Sequence, residues 1–208
     1  MAFARLILIA LACAAFAGCS AKQVFPETTP SNLYRTPIDG VTAQLILPND
    51  FQRTTITQKP SLGRAWSIYN FEMPVGTPLS KGLSGDIRSR VPAARVGNTD
   101  DGKPAALRVT ATDVSITFGV DEGNAVLWTA LSPIGLGSDI SVDATATVTA
   151  TITANGRPPR PVSVTGSGAI PMAYISLREA DLGRAVGLAL DDAVMKLGDI
   201  YEAEARQP

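Results

Sequence analysis

The most regular stretch of the chain is Ile140 to Ala154, where apolar residues take every even position and Ser, Asp or Thr every odd one. A period of two places alternate side chains on opposite faces of a strand, so the pattern predicts one long strand with a buried face and a wet face. Unbroken, it would reach about 50 Å at roughly 3.3 Å per residue. Asn155-Gly156 follows, and these residues tolerate the positive φ that both central positions of a type I′ turn demand, which predicts a hairpin. The returning strand is Val162 to Ala169, entered through the proline-rich run Arg157 to Pro161. Prolines cannot donate to a ladder, so that end is expected to be a sheet edge or a loop. Upstream, Leu107, Val109 and Ala111 alternate. After Asp113 the phase slips by one, and Val114, Ile116, Phe118 and Val120 take over. A one-residue slip within a continuous strand predicts a bulge or bend. Residues 119–123 (GVDEG) are expected to turn the chain, Val126-Leu127-Trp128 to open another element, and residues 133–138 (PIGLGS) to form a loop.

Two stretches carry the helical period. Leu79, Leu83, Ile87 and Val91 stand four apart after Thr77-Pro78. That pair reads as an N-cap followed by a proline whose φ is already helical, with Pro92 as the stop. Gly82 and Gly85 weaken this helix by up to about 1 kcal/mol each relative to alanine. The second helix ends the chain. Ser176 and Glu179 have the spacing of a capping box, and Leu182, Val186, Ala189, Leu190, Ala193, Val194, Leu197, Ile200 and Tyr201 trace one apolar face. Earlier in the chain, residues 40–48 (GVTAQLILP) and 65–73 (AWSIYNFEM) read as strands, the latter rich in aromatics. The resulting order is β, β, α, β, β, β, β, α. It predicts an α+β domain: a twisted, mostly antiparallel sheet of about four to six strands with two helices on one face.

The N-terminus has a different character. Arg5 precedes an uninterrupted apolar run, Leu6 to Phe16. As a helix this run would span about 16 Å, too short for a hydrocarbon core of about 30 Å. It reads as an export signal. Ala17, Gly18, Cys19 and Ser20 follow at once and resemble the lipobox of bacterial lipoprotein precursors, although Phe16 stands where the family usually has leucine. The resemblance implies cleavage before Cys19 and lipidation of Cys19, with residues 1–18 removed. Ala15-Phe16-Ala17 also fits ordinary signal cleavage, which would release a chain beginning at Gly18. The only other cysteine, Cys13, lies in the apolar run, so the mature chain holds a single thiol and no internal disulfide. As a lipid thioether that thiol is no liability in an oxidising compartment. Ser20 after the cysteine implies, by the same resemblance, sorting to the outer membrane. Residues 19–37 carry prolines and polar residues without period and read as a flexible tether to a single domain over 38–208.

Composition narrows the chemistry. Eighteen Lys and Arg against nineteen Asp and Glu leave a net charge of −1, with no basic face for nucleic acid. There is no histidine, which removes the commonest general base and metal ligand. Gly166-Ser167-Gly168 lacks the full nucleophile-elbow pattern and reads as close packing in a strand. Asp100-Asp101-Gly102 lacks the spaced oxygens of a calcium loop and reads as a solvated turn. Asp191-Asp192 falls on the polar side of the last helix, where charge is the default. Gly183 and Gly187, four apart on that helix, would admit close approach by another element, a core contact more readily than a dimer seam. No catalytic residue, cofactor site or metal site is expected.

The lipobox at Cys19, the strand–helix unit YNFEMPVGTPLSKGLSGDIRSRV, the strand LRVTATDVSITF, the Asn-Gly hairpin and the terminal helix together resemble small Gram-negative envelope lipoproteins. YajG-like lipoproteins and the auxiliary lipoproteins of ABC-type transporters share the plan most fully, and the lipopolysaccharide-assembly lipoprotein shares it in outline. The resemblance implies a non-enzymatic periplasmic accessory, anchored to the membrane at Cys19, with an envelope protein as its partner. The alternative is a lipid- or hydrophobe-binding module, with a cavity between sheet and helices where Ala144, Ala146 and Ala150 leave room.

Overall fold

The computed structural model describes residues 21–29, 36–64, 66–122, 139–173 and 178–207. The long alternating segment is strand β7, Asp139–Ala154. It pairs antiparallel on one side with β6 (Leu107–Asp121) and on the other with β8 (Arg160–Ala173). Every even residue of β7 from Ile140 to Ala154 is buried, as the period requires. Asn155 and Gly156 both adopt positive φ, 51° and 71°. The Ala154 carbonyl accepts the Arg157 N–H at 2.9 Å, closing the predicted turn. The bulge is present too. Register jumps from Ala111↔Ala150 to Asp113↔Thr149, leaving Thr112 as the extra residue, and its hydroxyl donates to the Thr149 carbonyl at 3.0 Å.

β8 is the sheet edge, as its prolines demand, and it carries both Pro161 and Pro171. The other half of this five-stranded sheet is parallel. β2 (Ala43–Ile46) lies between β6 and a short β5 (Arg95–Gly97), giving the order β5-β2-β6-β7-β8. All four residues of β2 are buried, as suits a parallel strand covered on both faces. A second sheet of three strands has the order β1-β4-β3, from β1 (Lys22–Gln23), β3 (Thr55–Gln58) and β4 (Phe71–Pro74). The segment after β3 joins the two sheets by running along the free half of β6. Gln58 Nε2 donates to the Ile116 carbonyl, Ser61 N to the Phe118 carbonyl and Val120 N to the Leu62 carbonyl, at 2.6, 2.6 and 3.2 Å. Phe71 of β4 meets Phe118 of β6 edge-on, with centroids 5.6 Å apart, so one core serves both sheets.

The terminal helix α3 (Glu179–Arg206) lies across β7 and β8 with its apolar stripe buried, and α2 (Gly76–Arg90) packs beside it. The fold is therefore α+β, with a twisted mixed sheet under two long helices. A short third helix, α1 (Asn49–Gln52), precedes β3.

Several local expectations need correction. The aromatic strand expected at 65–73 is confined to β4. Trp66 sits at φ 62° and Tyr69 N–H bonds back to the Trp66 carbonyl, so residues 66–69 turn and cannot continue a strand. Thr77 does not cap α2. The helix begins at Gly76, where the N–H groups of Val75 and Gly76 both donate to the Thr54 carbonyl, and the Thr77 hydroxyl bonds Gln52 instead. At the start of α3 the cap is Arg178, whose N–H donates to Asp181 at 3.1 Å; Ser176 lies outside the described residues. Residues 119–121 do not turn, because β6 stays paired through Asp121↔Ser141, and Gly123 lies outside the described residues. Val126-Leu127-Trp128 and residues 133–138 fall outside the described residues.

Candidate functional site

The segment expected to hang free as a tether is laid on the domain where it is described. Lys22 N–H donates to the Asn70 carbonyl at 2.8 Å and Val24 N–H to the Glu72 carbonyl at 3.0 Å, making β1 a parallel edge strand on β4. Val24 is buried. The chain then crosses α3. Glu27 N–H reaches the Gly183 carbonyl at 3.4 Å, and Thr29 N–H reaches Asp191 Oδ2 at 2.8 Å. This crossing explains the two glycines four apart. A Cβ on Gly183 would come within 2.7 Å of the Phe25 carbonyl oxygen, and one on Gly187 would overlap the Glu27 carbonyl. The close partner that this spacing admits is the protein's own N-terminal segment, not a second copy.

Charge fastens the start of this seat. Lys22 Nζ donates to Glu179 Oε1 in the first turn of α3 and lies 4.2 Å from the Tyr69 ring centroid. The hydrogen bond to Glu179 raises the Lys22 ammonium above its ordinary value, and the same bond holds the Glu179 carboxyl below its own. Asp191, at the far end of the seat, is pushed up by burial, which outweighs the Thr29 N–H that stabilises its charge.

A second polar assembly is interior. Arg90, at the end of α2, is fully buried. Its Nε bonds Asp86 Oδ2 at 2.9 Å, its Nη1 meets Glu202 Oε2 at 2.6 Å and Asp199 Oδ1 at 3.0 Å, and its Nη2 reaches the Met195 carbonyl at 3.2 Å. Tyr201 donates its hydroxyl to the same Asp86 oxygen. The assembly ties α2 to α3 and has the satisfied geometry of a structural cluster, not a reactive one. Nothing in the sequence singled it out, since Asp86 and Arg90 share the spacing of an ordinary surface pair. The one signal is Gly198, whose missing side chain makes room for the guanidinium.

An open groove of about 580 Å³ runs between α2 and the carboxyl ends of β2 and β5. Leu47 and Val96 contribute apolar wall, while Ser80, Lys81, Ser84 and Arg88 line the helix side. The Ser80 hydroxyl is buried without a hydrogen-bond partner.

The remaining sites named from sequence lie apart from one another. Cys19 is outside the described residues. Asp100 and Asp101 form a turn that accepts the N–H groups of Gly102 and Lys103, and they pair with Arg108 and Arg95. Asp192 accepts Ser167 N–H at 2.9 Å and pairs with Lys196, so the last helix and the β8 edge are stitched together at that point. Gly166 and Gly168 are backbone-on-backbone contacts with α3: a Cβ at either would overlap Ala189 or Ala185. Ala144, Ala146 and Ala150 are buried in the core cluster that α3 completes, so the space they leave is taken by that helix. Among the described residues no helix is long and apolar enough to cross a membrane.

No protein-family model matches the chain, and no curated protein does. Solved structures with a similar course exist at low similarity. A minor lipoprotein from Acinetobacter baumannii is 12% identical with a TM-score of 0.43, over 83% of this chain and 100% of that one. A Xanthomonas campestris protein of family DUF330 is 14% identical with a TM-score of 0.40, over 88% and 93%. A homolog of neuraminyllactose-binding hemagglutinin from Helicobacter pylori is 13% identical with a TM-score of 0.43, over 84% and 94%.

Proposed function

We propose that the chain is an envelope lipoprotein, acylated at Cys19 and held at the periplasmic face of the outer membrane, that serves as a non-enzymatic accessory to an envelope assembly or transport partner. The observation that carries this reading is the position of β1. It begins three residues after Cys19 and is bonded to β4 and α3. An anchor at that cysteine is therefore coupled directly to the folded domain. Export signal, lipobox and Ser20 support the membrane assignment. The absence of histidine from the whole chain and the hydrogen-bonded or ion-paired settings of the acidic pairs support a binding role over a catalytic one.

Replacement of Cys19 by alanine tests it. Wild-type protein should incorporate labelled palmitate and fractionate with the outer membrane, while Cys19→Ala should remain an unprocessed precursor in the inner membrane. Normal trimming of the variant at Ala17, with unchanged fractionation, overturns the reading.

A further inference from the structure

Among the described residues four large apolar side chains are markedly exposed, and three of them, Phe25 (66%), Leu62 (57%) and Ile68 (73%), belong to one end of the molecule. Leu62 lies over Gly119 and hydrogen bonds to Val120 near the end of β6. Ile68 sits in the 66–69 turn beside Tyr69, whose ring carries Lys22. Phe25 follows β1 onto the first turns of α3, its carbonyl against Gly183. Lys22, three residues before Phe25, packs on the Tyr69 ring next to Ile68.

We propose that this pole is a docking surface for the lipid bilayer itself, with Phe25 and Ile68 inserted at the boundary between headgroups and acyl chains. The inference rests on acylation of Cys19 and extends it. Three Cα–Cα steps lead from that cysteine through Ser20 and Ala21 to Lys22, a leash of at most about 11 Å. The headgroup layer on one side of a bilayer is itself about 5–8 Å deep. Lys22 is held by its N–H on Asn70 and by its ammonium on Glu179, so the leash cannot lengthen without dismantling β1. The lipid therefore keeps exposed apolar side chains within reach of the one apolar phase present. Because they are already tethered, their burial there carries no further translational cost.

Acylation consumes Cys19 and Cys13 is removed with the signal, so a cysteine introduced elsewhere is the only free thiol of the mature chain. Phe25→Cys and Ile68→Cys, with Pro159→Cys beside the opposite hairpin, place an environment-sensitive fluorophore at exposed positions that do not disturb the core. Each full-length, acylated variant is reconstituted into phosphatidylethanolamine–phosphatidylglycerol vesicles, with and without nitroxide-labelled lipid. The expected result is blue-shifted emission and strong nitroxide quenching at positions 25 and 68, with aqueous emission at 159. Vesicles that float with the protein while positions 25 and 68 stay as wet as 159 overturn the docking and leave the anchor standing. Protein that neither floats nor carries an acyl chain overturns both.

Discussion

Arg90 and Asp86, one turn apart on α2, form an ion pair whose side chains are 0% and 2% exposed, and the Tyr201 hydroxyl of α3 closes over the shared oxygen. Taking two charges out of water is repaid only when their remaining hydrogen bonds are met, and here Glu202, Asp199 and the Met195 carbonyl meet them. Arg90→Met leaves Asp86 as an uncompensated buried charge and should cost about 3–5 kcal/mol. The double replacement Arg90→Met with Asp86→Leu should restore part of that loss. Denaturant unfolding of Arg90→Met, Asp86→Leu and the double variant measures the coupling. Single losses that simply add in the double would mean that the pair carries no mutual energy.

Gly187→Ala should release the N-terminal segment while leaving the domain folded, because the added Cβ overlaps the Glu27 carbonyl on the outside of α3. Limited proteolysis is expected to cut within residues 24–29 in the variant and to spare the wild type. Gly85→Ala, where a Cβ meets open space, is the control and should leave the digestion pattern unchanged.

Leu190 is fully buried on the α3 stripe that covers β7. Leu190→Asp loses that burial and places an unpaired charge in the core, at a cost of several kcal/mol, about 3 or more. Thermal melts should show an unfolded or strongly destabilised protein. A melting temperature near that of the wild type would make this helix a detachable binding element instead.

Acid should loosen the seat of β1 by a defined route. Glu179 is held below the ordinary value of 4.5, so its contribution is present above that pH and fades as the pH falls through the lowered value. Lys22 is raised above 10.5, so its side of the pair persists throughout the neutral range and is lost only as the pH climbs through the raised value. The pair is partly exposed, and salt should weaken it. Asp191 runs the other way: burial raises it above 3.8, so its charged form at neutral pH works against folding. Asp191→Asn keeps an acceptor for Thr29 N–H and should raise the melting temperature at pH 7, whereas Glu179→Gln should remove part of the seat's acid sensitivity. A lower melting temperature for Asp191→Asn would refute the assignment.

What could be read from the sequence was what burial writes into it at regular intervals. Strand β7 alternates because one face meets α3 and the other meets water, and the slip after Ala111 marks Thr112 because a bulge shifts parity. Asn155-Gly156 is legible because few other residues adopt its dihedrals. The elements that escaped are short or borrow their stability from afar. β1, β3 and β5 have two to four residues each, too few to show a period, and β1 and β5 pair in parallel with strands distant in the chain. α1 is a single turn. Residues 65–73 overpredict a strand because aromatic content mimics one, while Trp66 and Tyr69 pack edge-on against Phe71. At the seat of β1 the spacing of Gly183 and Gly187 was visible, but not what would fill it. That partner is a stretch with no period of its own, fixed by backbone hydrogen bonds together with the Lys22 ammonium and the buried Val24.

The distance in sequence between Lys22 and Glu179 sets an order of events during synthesis. β1 is the first described element to leave the ribosome, yet its neighbours arrive about fifty residues later at β4 and 157 residues later at α3. Until the last helix has been delivered, β4 alone can receive residues 22–24. Once α3 docks, Glu179, Gly183 and Asp191 complete the seat of residues 22–29. Completion of the fold is thus what closes that seat, and a chain truncated before Glu179 should leave residues 25–29 open to protease.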